Sequence, residues 1–182
     1  FFDVFTELSL DGGASWSPSA SGPATIVLRR QACVAIQCPS NITVTGIPSY
    51  VCSTTLALNG LNHTFPSDVS MLLVGPAGQK FVPRSAVIGG TDWVNTNYTL
   101  ADAAAAVIPQ SATPVSGSFK PTDYDATRTF PAPAPSSPYQ LPATVGTATF
   151  ASVFGGSNPN GTWSLYVDDS AAGDTGSIDV VT

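Results

Sequence analysis

Residues 158–178 read NPNGTWSLYVDDSAAGDTGSI, and the order of residue types along this stretch decides the fold class. Asn158-Pro159-Asn160-Gly161 is a turn cluster, because proline presets its own φ while asparagine and glycine tolerate the left-handed region. Thr162 to Val167 then alternates small or polar with large apolar side chains. That period of two belongs to a half-buried strand and puts Trp163, Leu165 and Val167 on one face. Asp168 to Gly176 is rich in Asp, Ser and Gly and turns the chain back toward Ser177 and Ile178. The stretch therefore predicts a β-hairpin.

The rest of the chain agrees with an all-β reading. Strands are expected at Ile42–Thr45, Thr54–Leu58, Ser70–Val74, Asn97–Leu100, Ala148–Val153 and Thr162–Val167, separated by Gly/Pro turns, a spacing that suits an antiparallel β-sandwich. The 182 residues are enough for one well-buried core. Glu occurs once, Lys twice and Met once, while Val, Thr and aromatic residues run throughout, a composition that favours strands over helices. Only Leu100–Val107, LADAAAAV, leans helical, and it has room for one short turn. The stretch from Thr129 to Pro142, carrying FPAPAPSSPYQLP, is too rich in proline for a central strand and is expected to be a surface loop, the most mobile element of the chain.

Composition also excludes several functions. Six basic residues against twelve acidic ones give a net charge of −6, with no basic stripe to hold a nucleic-acid backbone. No apolar run approaches membrane-spanning length. With a single histidine, any nucleophilic triad would have to use His63, and no Gly-x-Ser-x-Gly elbow presents a serine. No convincing pair of carboxylates suits a glycosidase. The chain reads as non-catalytic.

The turn closing on Gly161-Thr162-Trp163, the strand, the Asp-rich loop and Gly173-Asp174-Thr175-Gly176-Ser177-Ile178 resemble the end of a P/Homo B domain. A second ordered match strengthens the resemblance. Thr54 to Thr64, ending in His63-Thr64, followed by Phe65 to Gly78, is similar to that family's strand, His-Thr, acidic turn, strand and Pro-x-Gly pattern. With Tyr98–Ala105 and Phe119-Lys120-Pro121, the likeness covers residues 41–182. It implies a jelly-roll sandwich over 40–182, an accessory domain of secreted proteins, behind an N-terminal strand and hairpin segment over 1–39. It also implies that His63 lies beside the acidic turn and pins it by a hydrogen bond to Asp68. Some members bind calcium, and Asp168, Asp169 and Asp174 are the candidate ligands for a Ca²⁺ here, with Asp92 and Asp102 as weaker contributors.

Before that body, FFDVFTELSL (1–10) is an amphipathic strand, with Phe2, Val4, Leu8 and Leu10 on one face. Ser9 to Trp16 resembles an Asp-box, a structural hairpin turn in which Trp16 packs beneath. Ala24–Leu28 is a further strand, followed by Arg29-Arg30, a solvated edge. Cys33, Cys38 and Cys52 permit one disulfide, Cys33 to Cys38 or Cys38 to Cys52, with one thiol left over; no Cys-x-x-Cys spacing supports zinc. Asn41, Asn62, Asn97 and Asn160 each begin an Asn-x-Ser/Thr sequon and are candidate glycan acceptors.

These features lead to the expectation of a secreted protein, extracellular or on the cell surface, that forms a homopolymer. The body stops after Gly176–Thr182, short of strand sequence that the resembled family adds, which is expected to leave an open sheet edge. The strand carrying Phe1, Phe2, Val4, Phe5, Leu8 and Leu10 is expected to fill that edge in a neighbour. Two alternatives stand beside it: an accessory module of a larger secreted enzyme, often a protease, and a carbohydrate-binding module using Trp93 as its exposed aromatic.

Overall fold

A computed structural model describes residues 39–182, together with the backbone of Glu7–Leu8 (β1) and Ser17–Pro18 (β2). β1 and β2 pair antiparallel, Glu7 with Pro18 and Leu8 with Ser17. The remainder of the Phe1–Leu10 strand, Trp16 and its Asp-box, the Ala24–Leu28 strand, Arg29-Arg30, Cys33 and Cys38 lie outside the described residues.

The body is an all-β sandwich of two mixed sheets. One contains Ser40–Val44 (β3), Val69–Val74 (β5), Lys80–Ser85 (β6), Thr122–Asp123 (β9) and Gly161–Asp169 (β10), in the order β3-β10-β5-β6-β9. The other contains Thr55–His63 (β4), Trp93–Ala101 (β7), Gly117–Phe119 (β8) and Gly176–Ser177 (β11) in the order β11-β4-β7-β8, with Val180–Val181 (β12) also paired to β4. Most pairings are antiparallel; β6 with β9 and β7 with β8 are parallel.

The strand expected at Thr162–Val167 is β10, three residues longer in total and inside its sheet, between β3 and β5. Leu165 faces Leu73, Val167 faces Met71 and Trp163 faces Ile42 across the ladders. Those three side chains do share the core-facing side, Leu165 buried and Trp163 and Val167 packed against the core. The expected hairpin does not form. Residues 170–175 carry the chain from β10 to β11 in the opposite sheet, so the Asp-rich turn is a crossing between sheets.

The stretch expected as the strand Ala148–Val153 contains instead a helix, Phe150–Phe154 (α1). Thr149 and Ser152 form a reciprocal capping box, and the Asp102 carboxylate accepts from the amides of Phe150 and Ala151 at 2.9 and 2.8 Å. One helical turn then places Phe150 and Phe154 on the core side, where each meets Phe81 edge-on with centroids 5.1 and 6.2 Å apart. Burying such rings contributes about 1.5–3 kcal/mol each. The alanine-rich run Leu100–Val107 leaves β7 in a turn closed by Ala104 N–H donating to Ala101 O, with no helix.

The Pro-rich stretch also departs from expectation. Rather than a free surface loop, it covers the outer face of the β5–β6 region: Phe130 and Ala134 are buried with Leu72 and Val82, and Tyr139 and Leu141 pack alongside. This cover explains why β5, VSMLLV, is buried on both faces and shows no alternation.

Asp102→Ala removes two bonds from the start of α1 and is expected to lower the unfolding free energy by about 1–2 kcal/mol. Urea denaturation would show a lower midpoint with an unchanged slope; an unchanged midpoint would rule out the cap.

Candidate functional site

The Asp-rich crossing lies beside a second one. Between β4 and β5 the chain passes from one sheet to the other through residues 64–68, which include the 3₁₀ turn Pro66–Asp68. Thr64 N–H donates to Thr175 O at 3.3 Å, and the Ser170 amide and hydroxyl both donate to Asp68 O at 3.1 Å. The carboxylates complete the seam. Asp169 Oδ2 lies 3.2 Å from His63 Nε2, Asp174 Oδ1 accepts from Thr64 Oγ1 at 2.9 Å, and Asp168 pairs with Arg128.

This geometry corrects the expected partner of His63, which is Asp169 rather than Asp68. The Asp68 carboxylate takes only a long bond from Ser67 Oγ, at 3.4 Å. Because His63 Nδ1 accepts from Phe65 N–H at 3.1 Å, the neutral ring carries its proton on Nε2 and donates it to Asp169. Both ring nitrogens are thereby committed to structure. Gly176 packs against the same ring, and a Cβ there would overlap His63 and the Asn62 carbonyl.

The three aspartates considered for Ca²⁺ go to three different partners. Asp168 is neutralised by a guanidinium, Asp169 faces an imidazole and Asp174 a hydroxyl, which is a poor arrangement for a cation needing six or more oxygens. Among the described residues no cluster of three His, Cys, Asp or Glu side chains converges on a metal position. Asp92 is exposed, and Asp102 is engaged in capping α1.

Two buried charges gave no local signal in the sequence. Arg84 on β6 is fully buried, its guanidinium 4.1 Å from the Trp93 ring centroid and donating to the carbonyls of Val69 and Pro66. Burial lowers its pKa to about 9, which still leaves it cationic at neutral pH. Trp93, expected to be an exposed aromatic, is therefore 2 % exposed between Arg84 and Tyr98 and offers no stacking platform for a sugar. Asp123 on β9 is also fully buried. Its Oδ1 accepts from Asp125 N–H at 2.7 Å, while Oδ2 has no partner among the described residues. Burial raises its pKa to about 6.

A cleft of about 490 Å³ lies at one side of the sandwich, between β3 and the β4–β12 pair. Its lining is mainly apolar: Ile42, Val44, Leu56, Leu73, Trp163 and Leu165. The two sides of the sandwich differ. At the far side, coil pairs with the strand edges through bridges from Val107 to Lys120, Gln140 to Phe81 and Thr144 to Asp123. At the cleft side, no strand among the described residues pairs with the outer edge of β3 or of β12. Cys52 lies exposed at the rim with no disulfide partner among the described residues, and Asn160 closes one end by donating to Ile47 O and accepting from Ile47 N–H, at 2.7 and 2.9 Å. Each expected disulfide pairing involves Cys38, so the disulfide lies outside the described residues. No helix among the described residues is long and apolar enough to cross a membrane.

Comparison with family models, curated proteins and solved structures finds no match.

Asp123 makes stability depend on pH in a defined sense. Its folded pKa of about 6 lies above the ordinary carboxylate value of 3.8, so between these two values the native state binds more protons than the unfolded chain. Its contribution is greatest below pH 3.8 and is lost as pH rises through 6, by up to about 3 kcal/mol. Asp123→Asn mimics the neutral form and removes that slope. Urea unfolding at pH 4.5 and pH 7 is expected to show wild type weakening relative to the variant as pH rises; parallel profiles would contradict it.

Proposed function

We propose that this chain is a non-catalytic, extracellular structural subunit that forms a homopolymer by strand addition at the open side of its sandwich. The observation that carries the reading is the apolar cleft beside the outer edge of β3, which pairs with no strand among the described residues. Ile42 and Val44 are inward-facing yet only half-buried, as expected of an edge with no neighbour among the described residues. A strand laid along β3 would gain main-chain hydrogen bonds from the edge and bury alternate side chains against Leu56, Leu73 and Leu165.

The donor we assign is the Phe1–Leu10 segment of a second copy. Its apolar residues recur with the period of a strand, and Asp3, Glu7 and Ser9 occupy the other face. Donor and acceptor are different surfaces, so the contact is heterologous and propagates into a filament wherever its rotation does not close a ring. The commitment of both His63 nitrogens to structural bonds supports the non-catalytic part of the reading.

The motif likeness to P/Homo B domains favours a second reading, an accessory module that steadies a neighbouring catalytic domain. The two separate on one experiment. Sedimentation velocity and negative-stain microscopy of the isolated chain are expected to show concentration-dependent polymers. Val44→Lys, which puts a charge into the cleft, and deletion of residues 1–10 are each expected to leave monomers. Retention of polymers by both variants would refute strand donation, and a wild type that stays monomeric at every concentration would refute self-assembly.

A further inference from the structure

The four sequon asparagines divide into two groups. Asn41 on β3 and Asn97 on β7 are exposed, whereas Asn62 and Asn160 are half-buried. Their amide nitrogens divide in the same way. Asn160 Nδ2 donates to Ile47 O and to Asn158 Oδ1, both at 2.7 Å, so both of its N–H bonds are in use. Asn62 Nδ2 donates to Gly60 O at 3.0 Å while its Oδ1 accepts from Asn95 N–H at 2.9 Å, which fixes the carboxamide from both ends.

At the other two positions only the oxygen is engaged. Asn97 Oδ1 accepts from Gly60 N–H at 2.8 Å, and Asn41 Oδ1 accepts from Ser164 Oγ at 2.6 Å. Each bond orients the carboxamide and leaves Nδ2 without a partner among the described residues. In both strands the side chain leaves the sheet on the side away from the core: Asn41 alternates with the cleft-lining Ile42, and Asn97 lies between the buried Thr96 and Tyr98.

We propose that Asn41 and Asn97 are N-glycan acceptor positions of the folded chain and that Asn62 and Asn160 carry no glycan. The donor is a polyprenyl-diphosphate-linked oligosaccharide. In the transfer, Asn Nδ2 forms a bond to the anomeric carbon, the bond from that carbon to the diphosphate oxygen breaks with its electron pair leaving on the lipid diphosphate, and the displaced amide proton passes to a base of the transferase. One N–H remains on the product amide. Asn160 uses two N–H bonds, so a glycan there removes at least one arm of its link from Ile47 to Asn158, and chains modified at that position are lost from the folded fraction. Glycans at Asn41 and Asn97 stand off the outer faces of the two sheets and leave the cleft clear.

The assignment rests on the extracellular reading only for the secretory route that supplies the enzyme, and the test supplies that route itself. The full chain is secreted from insect cells, and its folded fraction is isolated by size exclusion. That fraction is treated with peptide N-glycosidase in heavy-oxygen water and mapped by peptide mass spectrometry. Labelled aspartate is expected at positions 41 and 97 and at neither 62 nor 160. Label at 62 or 160 at an occupancy matching 97 overturns the assignment, and absence of label at 41 or at 97 overturns it for that residue. The double variant Asn41→Gln, Asn97→Gln is expected to lose the whole glycan-dependent gel shift; a residual shift overturns the assignment. Asn160→Gln is expected to keep the gel shift and melt lower; loss of part of the shift overturns the closed state of Asn160. Polymerisation is read separately on unglycosylated protein made in bacteria, so failure of either proposal is seen independently of the other.

Discussion

The sandwich depends on two crossings between its sheets that lie side by side. Any segment passing from one sheet to another leaves its ladder and must find new partners for its amides and carbonyls. Here each crossing supplies the other. Thr64 bonds Thr175, Ser170 bonds Asp68, and the His63–Asp169 and Thr64–Asp174 contacts close the seam at its side chains. The consequence extends to the strands. Because β4 leads into one crossing and β11 leaves the other, fixing them together sets the β10–β5 and β11–β4 registers at once. Arg84 adds the inner support, holding the carbonyls of Pro66 and Val69 while its flat guanidinium lies against Trp93 of the opposite sheet.

A buried guanidinium is an expensive way to achieve this, since taking a cation out of water costs several kcal/mol before any contact is made. No carboxylate among the described residues bonds it; its compensation comes from two carbonyl dipoles and an aromatic face. An apolar side chain of equal volume would fill the space but leave the Pro66 and Val69 carbonyls without these donors at the point where the chain turns between sheets. Asp123 is the opposite case, a carboxylate with one oxygen bonded and one bare. Its main chain, paired to Ala143 and Thr144, holds the end of the Pro-rich cover to β9.

Much of the strand content was legible in the sequence, and the omissions have definite causes. β10, β5 and the first half of β4 carry β-branched and aromatic residues in short runs, and all three lie where the pattern places them. β6, KFVPRS, was hidden by Pro83, which sits where the β5–β6 register shifts between Phe81 and Arg84, so the missing N–H falls at an irregularity. α1 was hidden because FASVF also fits a strand pattern and because the carboxylate that starts it, Asp102, is 48 residues away in sequence. His63 shows the same limit. The nearest acidic residue in sequence was Asp68, but the true partner is 106 residues distant, and only the paired crossings bring it near. The sequence pattern of residues 158–178 predicted two strands and a turn; which sheet the second strand joins was decided by contacts outside that window.

The Pro-rich cover has a consequence for tolerance to change. In most sandwiches every strand has a face open to water, where substitution is cheap. Beneath residues 130–141, Leu72 and Val82 face the cover as Met71 and Phe81 face the core, so the middle of that sheet is enclosed on both sides. Sequence drift is thereby directed elsewhere, to the outer face of the β4–β7 sheet, where Val94 is 75 % exposed. A library of variants at β5 and β7 would find one strand almost intolerant and the other permissive at alternate positions, and anyone grafting a peptide onto this scaffold should begin on the second.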